Sequence, residues 1–383
     1  MALTFINASC HCNLNAFKVP FATSKLPIAS ELCHCNICRH STGTMAVHTV
    51  PIDGAPLSAE SKPGELMLVV ADLSKLKTYT AQDKITRYFC SVCFTHLFHE
   101  IKEATSGNTL WAVYTGTLER VEGIVNVGHH TFVAETGDGG LADHYLASLG
   151  KKLPRYAQEA GTEEVVHNWR SDTILKKESN TNGVIAHCHC KNVTVHLVPL
   201  SKEDAQDPSK WWAVPPRNPE DPSSHVRFMC GHCFCSSCRR SNGAHISTYI
   251  LLPMGNVEVL DKITNEFVPI SLRESIPSTS IGLKRYESSP LVFREYCEKC
   301  GANVLYWTID PKRNHIPPPT DGKPSIINIA VGLIDQEDNG ARAEDWVYWA
   351  EYVVRPEEAI DKAGMEAVKE GVLASTKSAS IVM

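Results

Sequence analysis

No apolar run in the 383-residue sequence approaches the ~18 residues of a membrane-spanning helix. The first residues, Met1 to Cys10, lack both the basic flank and the apolar core of a secretory signal. Basic residues are not in excess either. Lys+Arg 37 against Asp+Glu 43 leaves a formal charge of −6, so the cationic footprint that nucleic acid or an anionic membrane requires is missing. There is no phosphate-cradling glycine loop, and Thr136-Gly137-Asp138-Gly139-Gly140 reads as a turn. The glycosylation-like triplets Asn7-Ala8-Ser9 and Asn192-Val193-Thr194 mean little without a signal. These absences lead to the expectation of a soluble, cytoplasmic protein with no nucleic-acid or membrane partner. At this length it holds two or three domains.

Cysteine, by contrast, is abundant: fifteen residues, in a compartment where thiols stay reduced and disulfides are rare. The first half carries Cys10 and Cys12, then Cys33, Cys35 and Cys38, then Cys90 and Cys93. The second half repeats the order with Cys188 and Cys190, then Cys233, Cys235 and Cys238, then Cys297 and Cys300. C-x-C and C-x-x-C are metal-ligand spacings. Flanking residues repeat as well. Cys38-Arg39-His40-Ser41-Thr42-Gly43 matches Cys238-Arg239-Arg240-Ser241-Asn242-Gly243, and Arg87-Tyr88-Phe89-Cys90 matches Arg294-Glu295-Tyr296-Cys297. The chain is internally duplicated, with a Pro-, Asp- and Ser-rich loop at Lys202 to His225 inserted in the second copy.

Between the cysteines, short apolar and β-branched segments read as strands: Thr44–Val50, Leu66–Val70, Thr109–Tyr114, Val193–Val198, His245–Leu252 and Ile326–Val331. The fold class is mainly β. The expected domains are 1–150 and 183–355, joined by a charged connection over 151–182 that is partly helical around Glu163 to Trp169. Pro356, with Glu357 and Glu358 behind it, opens a C-terminal helix and tail over 356–383, frayed from Ser375 onward.

Sulfur-rich sites in a reducing compartment point to Zn²⁺, two ions per copy, and seven cysteines per copy divide as four plus three. Cys10, Cys12, Cys90 and Cys93 would close one structural site, and Cys188, Cys190, Cys297 and Cys300 the other. The triads Cys33/Cys35/Cys38 and Cys233/Cys235/Cys238 leave a position vacant, as catalytic zinc sites do. The opposing reading is that every sulfur serves folding, each triad being completed by a nearby side chain. In the second copy Cys230 or His232 could fill that position, which favours the first copy as the reactive one. In the first copy His34 lies between two ligands and is read as a pocket group beside the metal. Arg39, Arg239 and Arg240 could bind carboxylates or simply pair within the fold. His129, His130, Tyr114 and His315 are further pocket candidates.

The run Cys33-His34-Cys35-Asn36-Ile37-Cys38-Arg39-His40-Ser41-Thr42-Gly43, the pair Cys297-Glu298-Lys299-Cys300-Gly301-Ala302 and the preceding C-x-C resemble the glutathione-dependent formaldehyde-activating enzyme family, which includes centromere protein V. Tyr114-Thr115-Gly116-Thr117-Leu118, His130-Thr131-Phe132-Val133 and Ala330-Val331-Gly332-Leu333-Ile334-Asp335 add to the resemblance. It implies tandem β-tent domains with a structural zinc on the four outer cysteines and a second zinc on the triad. It also implies membership among carbon–sulfur lyases; a glutathione-like adduct of an aldehyde or related small carbonyl compound is the expected substrate, and His34 and Arg39, at the first triad, are read as its catalytic companions. Phe94 departs from the family's Gly after the last pair, whereas Gly301 keeps it. Three thiolates make zinc a mild Lewis acid, better suited to holding an exogenous thiol than to activating water. Two rivals stand beside this reading: addition or elimination on a small carbonyl metabolite without glutathione, and a zinc-stabilised binding module.

Overall fold

The computed structural model describes residues 2–62, 64, 68–82, 85–103, 107–176, 182–221, 223–273, 279–312 and 322–381. It is mainly β. In the first half a seven-stranded sheet runs in the order Val125–Thr131, Ile28–Cys33, Val47–Pro51, Thr109–Tyr114, His96–Lys102, Ile85–Cys90, Leu76–Gln82. The strands Val125–Thr131 and Ile28–Cys33 are parallel and the other neighbours antiparallel. A three-stranded sheet, Leu3–Ser9, Ala16–Ala22 and Leu57–Ser58, accompanies it.

The second half runs in the same order. Val347–Trp349 lies parallel to Arg227–Cys233, followed by Ser247–Pro253, Ile326–Ala330, Asn303–Thr308, Val292–Cys297 and Leu283–Ser289. Ala213–Val214, from the inserted loop, adds an edge to this sheet. A four-stranded sheet over Val184–His187, Thr194–Leu197, Val257–Asp261 and Glu266–Pro269 takes the place of the three-stranded one. The strand Ile326–Ala330 is buried at every position, which accounts for its four apolar residues, and the one polar residue, Asn328, donates to Tyr306 O at 3.4 Å.

One large core runs through the second half and takes in Leu32, Met45, Ala46, Val127 and Tyr145 of the first. Four glycines make the junction possible. Gly116 N–H donates to Gly243 O at 3.1 Å, and Gly332 N–H donates to Gly43 O at 3.2 Å. A Cβ on Gly116 would lie 2.2 Å from Ala244 N, and one on Gly332 2.2 Å from Thr44 O. Beside these contacts, Arg342 is fully buried and pairs with Asp143, which also binds Arg155, while Glu344 receives Arg170 and Arg217. These ion pairs tie 138–170 to 217 and 342–344, and their mutual satisfaction is what makes so much buried charge tolerable.

Several local expectations are adjusted. Of Leu66–Val70, the described part forms no strand beyond a single bridge from Val70 to Leu57, and residues 65–67 lie outside the described residues. Glu163 to Trp169 is irregular; among the described residues of the connection the helix is Asp172–Lys176, and 177–181 are not described. Pro356 opens a 3-10 turn, Pro356–Glu358, and the α-helix begins later, at Lys362. Asp361 sets that start by accepting from Gly364 N at 2.9 Å. The helix runs to Ile381, past the expected fraying point, burying Met365, Val368 and Val372. Its Ser375 hydroxyl donates to Asp143 O, so the C-terminal helix returns to the first half. No helix among the described residues is long and apolar enough to cross a membrane.

Gly116→Ala and Gly332→Ala should each lower unfolding free energy by about 3 kcal/mol or more, because backbone cannot retreat from the added methyl. Gly255→Ala, with nothing within 4 Å of its added Cβ, should be close to neutral. Denaturant midpoints check this, and equal effects at the three positions would refute the interlock.

Candidate metal centres

Each triad is built at a strand-to-helix turn. Cys33 ends the strand Ile28–Cys33, Cys35 caps the helix Asn36–Thr42, and Cys38 sits in its first turn. Cys35 Sγ accepts the Cys38 N–H at 3.3 Å. The second triad copies this, with Cys235 Sγ accepting Cys238 N–H at 3.3 Å ahead of the helix Ser236–Asn242. Such caps orient sulfur and favour its thiolate form. Both helices end on a left-handed glycine, Gly43 (φ 81°) or Gly243 (φ 69°), pressed against Asn303 O or His96 O of the opposite half.

The sulfurs form four groups: Cys10/Cys12/Cys90/Cys93, Cys188/Cys190/Cys297/Cys300, Cys33/Cys35/Cys38 and Cys233/Cys235/Cys238. Within each, all sulfurs lie within 4.8 Å of one another. None is in a disulfide. A tetrahedral ion with Zn–S of about 2.3 Å sets S···S near ~3.8 Å. Cys10···Cys12 is 3.5 Å, Cys12···Cys90 3.7 Å, Cys188···Cys190 3.5 Å and Cys190···Cys297 3.5 Å, so both four-sulfur groups fit zinc. Backbone and amide donors surround them: Val92 N and Asn15 Nδ2 to Cys90 Sγ, and Val193 N to Cys188 Sγ. Without a cation the thiols resist joint ionisation. Cys12 is pushed up to about 12 by burial, with Cys93 and Cys90 adding to the rise.

The triads have no fourth Cys, His, Asp or Glu among the described residues in their group. Cys230 is a correction to the expected closure of the second triad. It lies outside the group, three residues before Cys233 on one strand, so the two side chains leave opposite faces. Burial pushes the Cys230 thiol well up. His232 is engaged elsewhere as well, with Nδ1 2.9 Å from Thr248 Oγ1 and Nε2 3.1 Å from His144 Nδ1.

His34 is fully buried. Its Nε2 lies 2.9 Å from His130 Nδ1, whose Nε2 is 2.8 Å from Tyr145 O, and His34 Nδ1 has no partner among the described residues. Arg39, also fully buried, donates through Nη2 to Asn36 Oδ1 at 2.9 Å and to Gln336 Oε1 of the second half at 2.7 Å. Burial brings its pKa down to about 10. Arg239 binds the carbonyls of Gly116 and Leu118, and Arg240 donates to Ser9 Oγ at 3.1 Å and Cys10 O at 2.6 Å. Both therefore pair the halves. His129 stacks edge-on against Tyr156, and His315 lies outside the described residues.

Sequence reasoning missed the arginine on each triad. Arg87 Nη2 donates to Cys38 Sγ at 3.4 Å, and Arg294 Nη2 to Cys238 Sγ at 3.4 Å. The signal was present in the repeated Arg-x-x-Cys. Arg87 Nε and Nη1 and Arg294 Nε are buried with no partner among the described residues. A tyrosine stands beside each arginine, from different strands. Tyr114 faces Arg87 and Cys38, while Tyr249 OH is 3.3 Å from Arg294 Nη1. Tyr114 pairs across the sheet with Thr49, and Tyr249 with Ala330. A glutamate also caps each triad helix. Glu135 Oε2 accepts Asn36 N at 2.7 Å and Glu358 Oε2 accepts Ser236 N at 2.8 Å, each three residues after a left-handed turn at Phe132 or Arg355.

Residues 5–135 match the family model described as glutathione-dependent formaldehyde-activating enzyme. No curated protein matches the chain.

The two kinds of cluster should separate on substitution. Cys10→Ser or Cys297→Ser breaks a four-sulfur group whose metal affinity is folding energy, and should cost about 4 kcal/mol or more or abolish soluble expression. Cys35→Ser should fold and lose one zinc of an expected four per chain, by elemental analysis beside thermal melts. Identical melts for both classes would contradict the division.

Proposed function

We propose that the chain is a zinc-dependent carbon–sulfur lyase-type enzyme that makes or cleaves the bond between a thiol such as glutathione and an aldehyde or related small carbonyl compound. In this reading residues 183–355 are a second copy of the domain in 1–150, joined through 151–182 and followed by the helix and tail of 356–383. The triad cysteines of both copies hold the reactive zinc, and the outer cysteines the structural one. The observation that carries the reading is common to both halves: three sulfurs with no fourth ligand among the described residues, touched by an arginine that keeps at least one further buried N–H group without a partner among them, Nε and Nη1 in Arg87 and Nε in Arg294.

A zinc ion held by three thiolates supplies, when bound, one further position where an incoming sulfur stays a thiolate near neutral pH. Addition forms a carbon–sulfur bond, and the proton lost by the thiol ends on the former carbonyl oxygen; cleavage runs in reverse. Oxygen gains negative charge on the way. The unpartnered N–H groups of Arg87 and Arg294 are donors for it, positioned before reaction and shielded from water. The Tyr114 and Tyr249 hydroxyls, kept protonated by burial, can deliver a hydrogen bond or proton at the same oxygen. Arg39 holds the first triad helix through Asn36 and reaches Gln336, so its task is to steady the ligands. His34 braces the same turn from the interior through His130. Cys230 lies outside the second triad's group, so both triads are assigned the reaction.

Exchange NMR between formaldehyde, glutathione and S-hydroxymethylglutathione tests this. The protein should accelerate interconversion, and Cys35→Ser combined with Cys235→Ser should abolish the acceleration. Arg87→Gln with Arg294→Gln should reduce it roughly 100-fold while zinc content stays near normal. Unchanged exchange in the double cysteine variant would refute the reading.

A further inference from the structure

The histidine inside each four-cysteine cluster faces the triad of the opposite half. His11, between Cys10 and Cys12, places Nε2 3.0 Å from Ser237 Oγ and Nδ1 2.8 Å from Tyr286 OH, both in the second half. Ser237 lies on the triad helix between Cys235 and Cys238. Its hydroxyl also accepts from Arg294 Nη2 at 3.3 Å, and the same nitrogen reaches Cys238 Sγ. His11 is fixed at its other end too. Its N–H donates to Thr95 Oγ1 at 3.2 Å, and that hydroxyl is 3.1 Å from Cys93 Sγ. A polar path therefore runs from the Cys10/Cys12/Cys90/Cys93 cluster through His11, Ser237 and Arg294 to a ligand of the other half's triad.

The reverse path is incomplete. His189, between Cys188 and Cys190, holds Tyr79 OH at 2.6 Å through Nδ1 and donates its N–H to His40 O at 2.9 Å. Tyr79 and Tyr286 occupy the same register, opposite Arg87 and Arg294. Ile37 stands where the second triad helix has Ser237. A branched alkyl group neither donates nor accepts, so the path from His189 stops before the first triad's arginine.

We propose that His11 is a positioning residue of the second triad. It orients Ser237, and through Ser237 the Arg294 guanidinium on Cys238, so that the four-cysteine cluster of the first half sets the metal environment of the second triad. Among the described residues no corresponding hydroxyl links His189 to the first triad's arginine, since Ile37 replaces Ser237. The proposal rests on the reading of the sulfur groups as metal sites. Polar groups next to ligands orient them and alter the electron density at the metal, so a spectroscopic probe of the metal senses the chain directly.

The test loads the full-length protein with ¹¹³Cd, whose resonance position reports the number and polarisation of coordinated thiolates. Cys35→Ser and Cys235→Ser assign the two triad lines by their loss. His11→Gln and Ser237→Ala should each shift the second-triad line and leave the first-triad line in place, and Ser237→Thr, which keeps the hydroxyl, should restore the original position. Ser237→Ala lies outside the four-cysteine cluster, so the result survives a folding defect in the His11 variant. A second-triad line that stays fixed in Ser237→Ala, or equal shifts of both triad lines, would overturn the proposal. If triad lines are missing from the unsubstituted protein while four-thiolate lines are present, the reading of the triads as metal sites fails, and the proposal with it.

Discussion

The backbone contacts of Gly116 with Gly243 and of Gly332 with Gly43, at 3.1 and 3.2 Å, fix where both triad helices end. Any side chain there would force the halves apart by roughly 1 Å, since the added Cβ atoms would meet opposing backbone at 2.2 Å. Close approach brings each triad helix against the other half. Arg239 then reaches the carbonyls of Gly116 and Leu118, and Arg240 reaches Cys10 O. The sulfur clusters are thus positioned by a junction made largely of main chain, which has few conformations to choose from and transmits displacement with little loss.

Charge explains the chemistry of the two cluster types. Four thiolates around a divalent ion would keep a net charge of −2, offset by N–H dipoles such as those of Asn15, Val92 and Val193 and, at the first cluster, by Arg240 on the Cys10 carbonyl. Such a site is stable and closed. Three thiolates, a divalent ion and the guanidinium of Arg87 or Arg294 together are neutral, which lowers the cost of placing them in the interior. An incoming anionic sulfur would meet a neutral assembly with open donors instead of a repelling one.

The parts legible in the sequence are those that depend on spacing. Cysteine intervals yield all four sulfur groups, and five of the six expected apolar segments fall on strands, Thr109–Tyr114 to the residue. Long-range partners were beyond its reach. Arg87 looked like part of a repeated tag, because nothing local says that a strand residue three before Cys90 touches Cys38, 49 positions earlier. Cys230 looked like a chelator because proximity along the chain was weighed without strand alternation, which sends it to the opposite face from Cys233. Pro356 signalled a helix start, yet Arg355 adopts a left-handed conformation and the chain makes only one tight turn before Asp361 caps the true helix.

The tyrosine beside each arginine comes from opposite members of one cross-strand pair: Tyr114 facing Thr49 in the first half, and Tyr249 facing Ala330 in the second. The two arrangements fill similar space from different starting points, so they are separated by a barrier in sequence space. Converting one into the other by single changes passes through either two rings competing for one volume or none at all. The first intermediate is overpacked and the second leaves a cavity beside the guanidinium. Substitutions at these positions are therefore strongly epistatic, with paired exchanges tolerated where either member alone is not. The two triads are thus flanked by tyrosines rooted on different strands, and each arrangement is exchanged for the other only by paired changes.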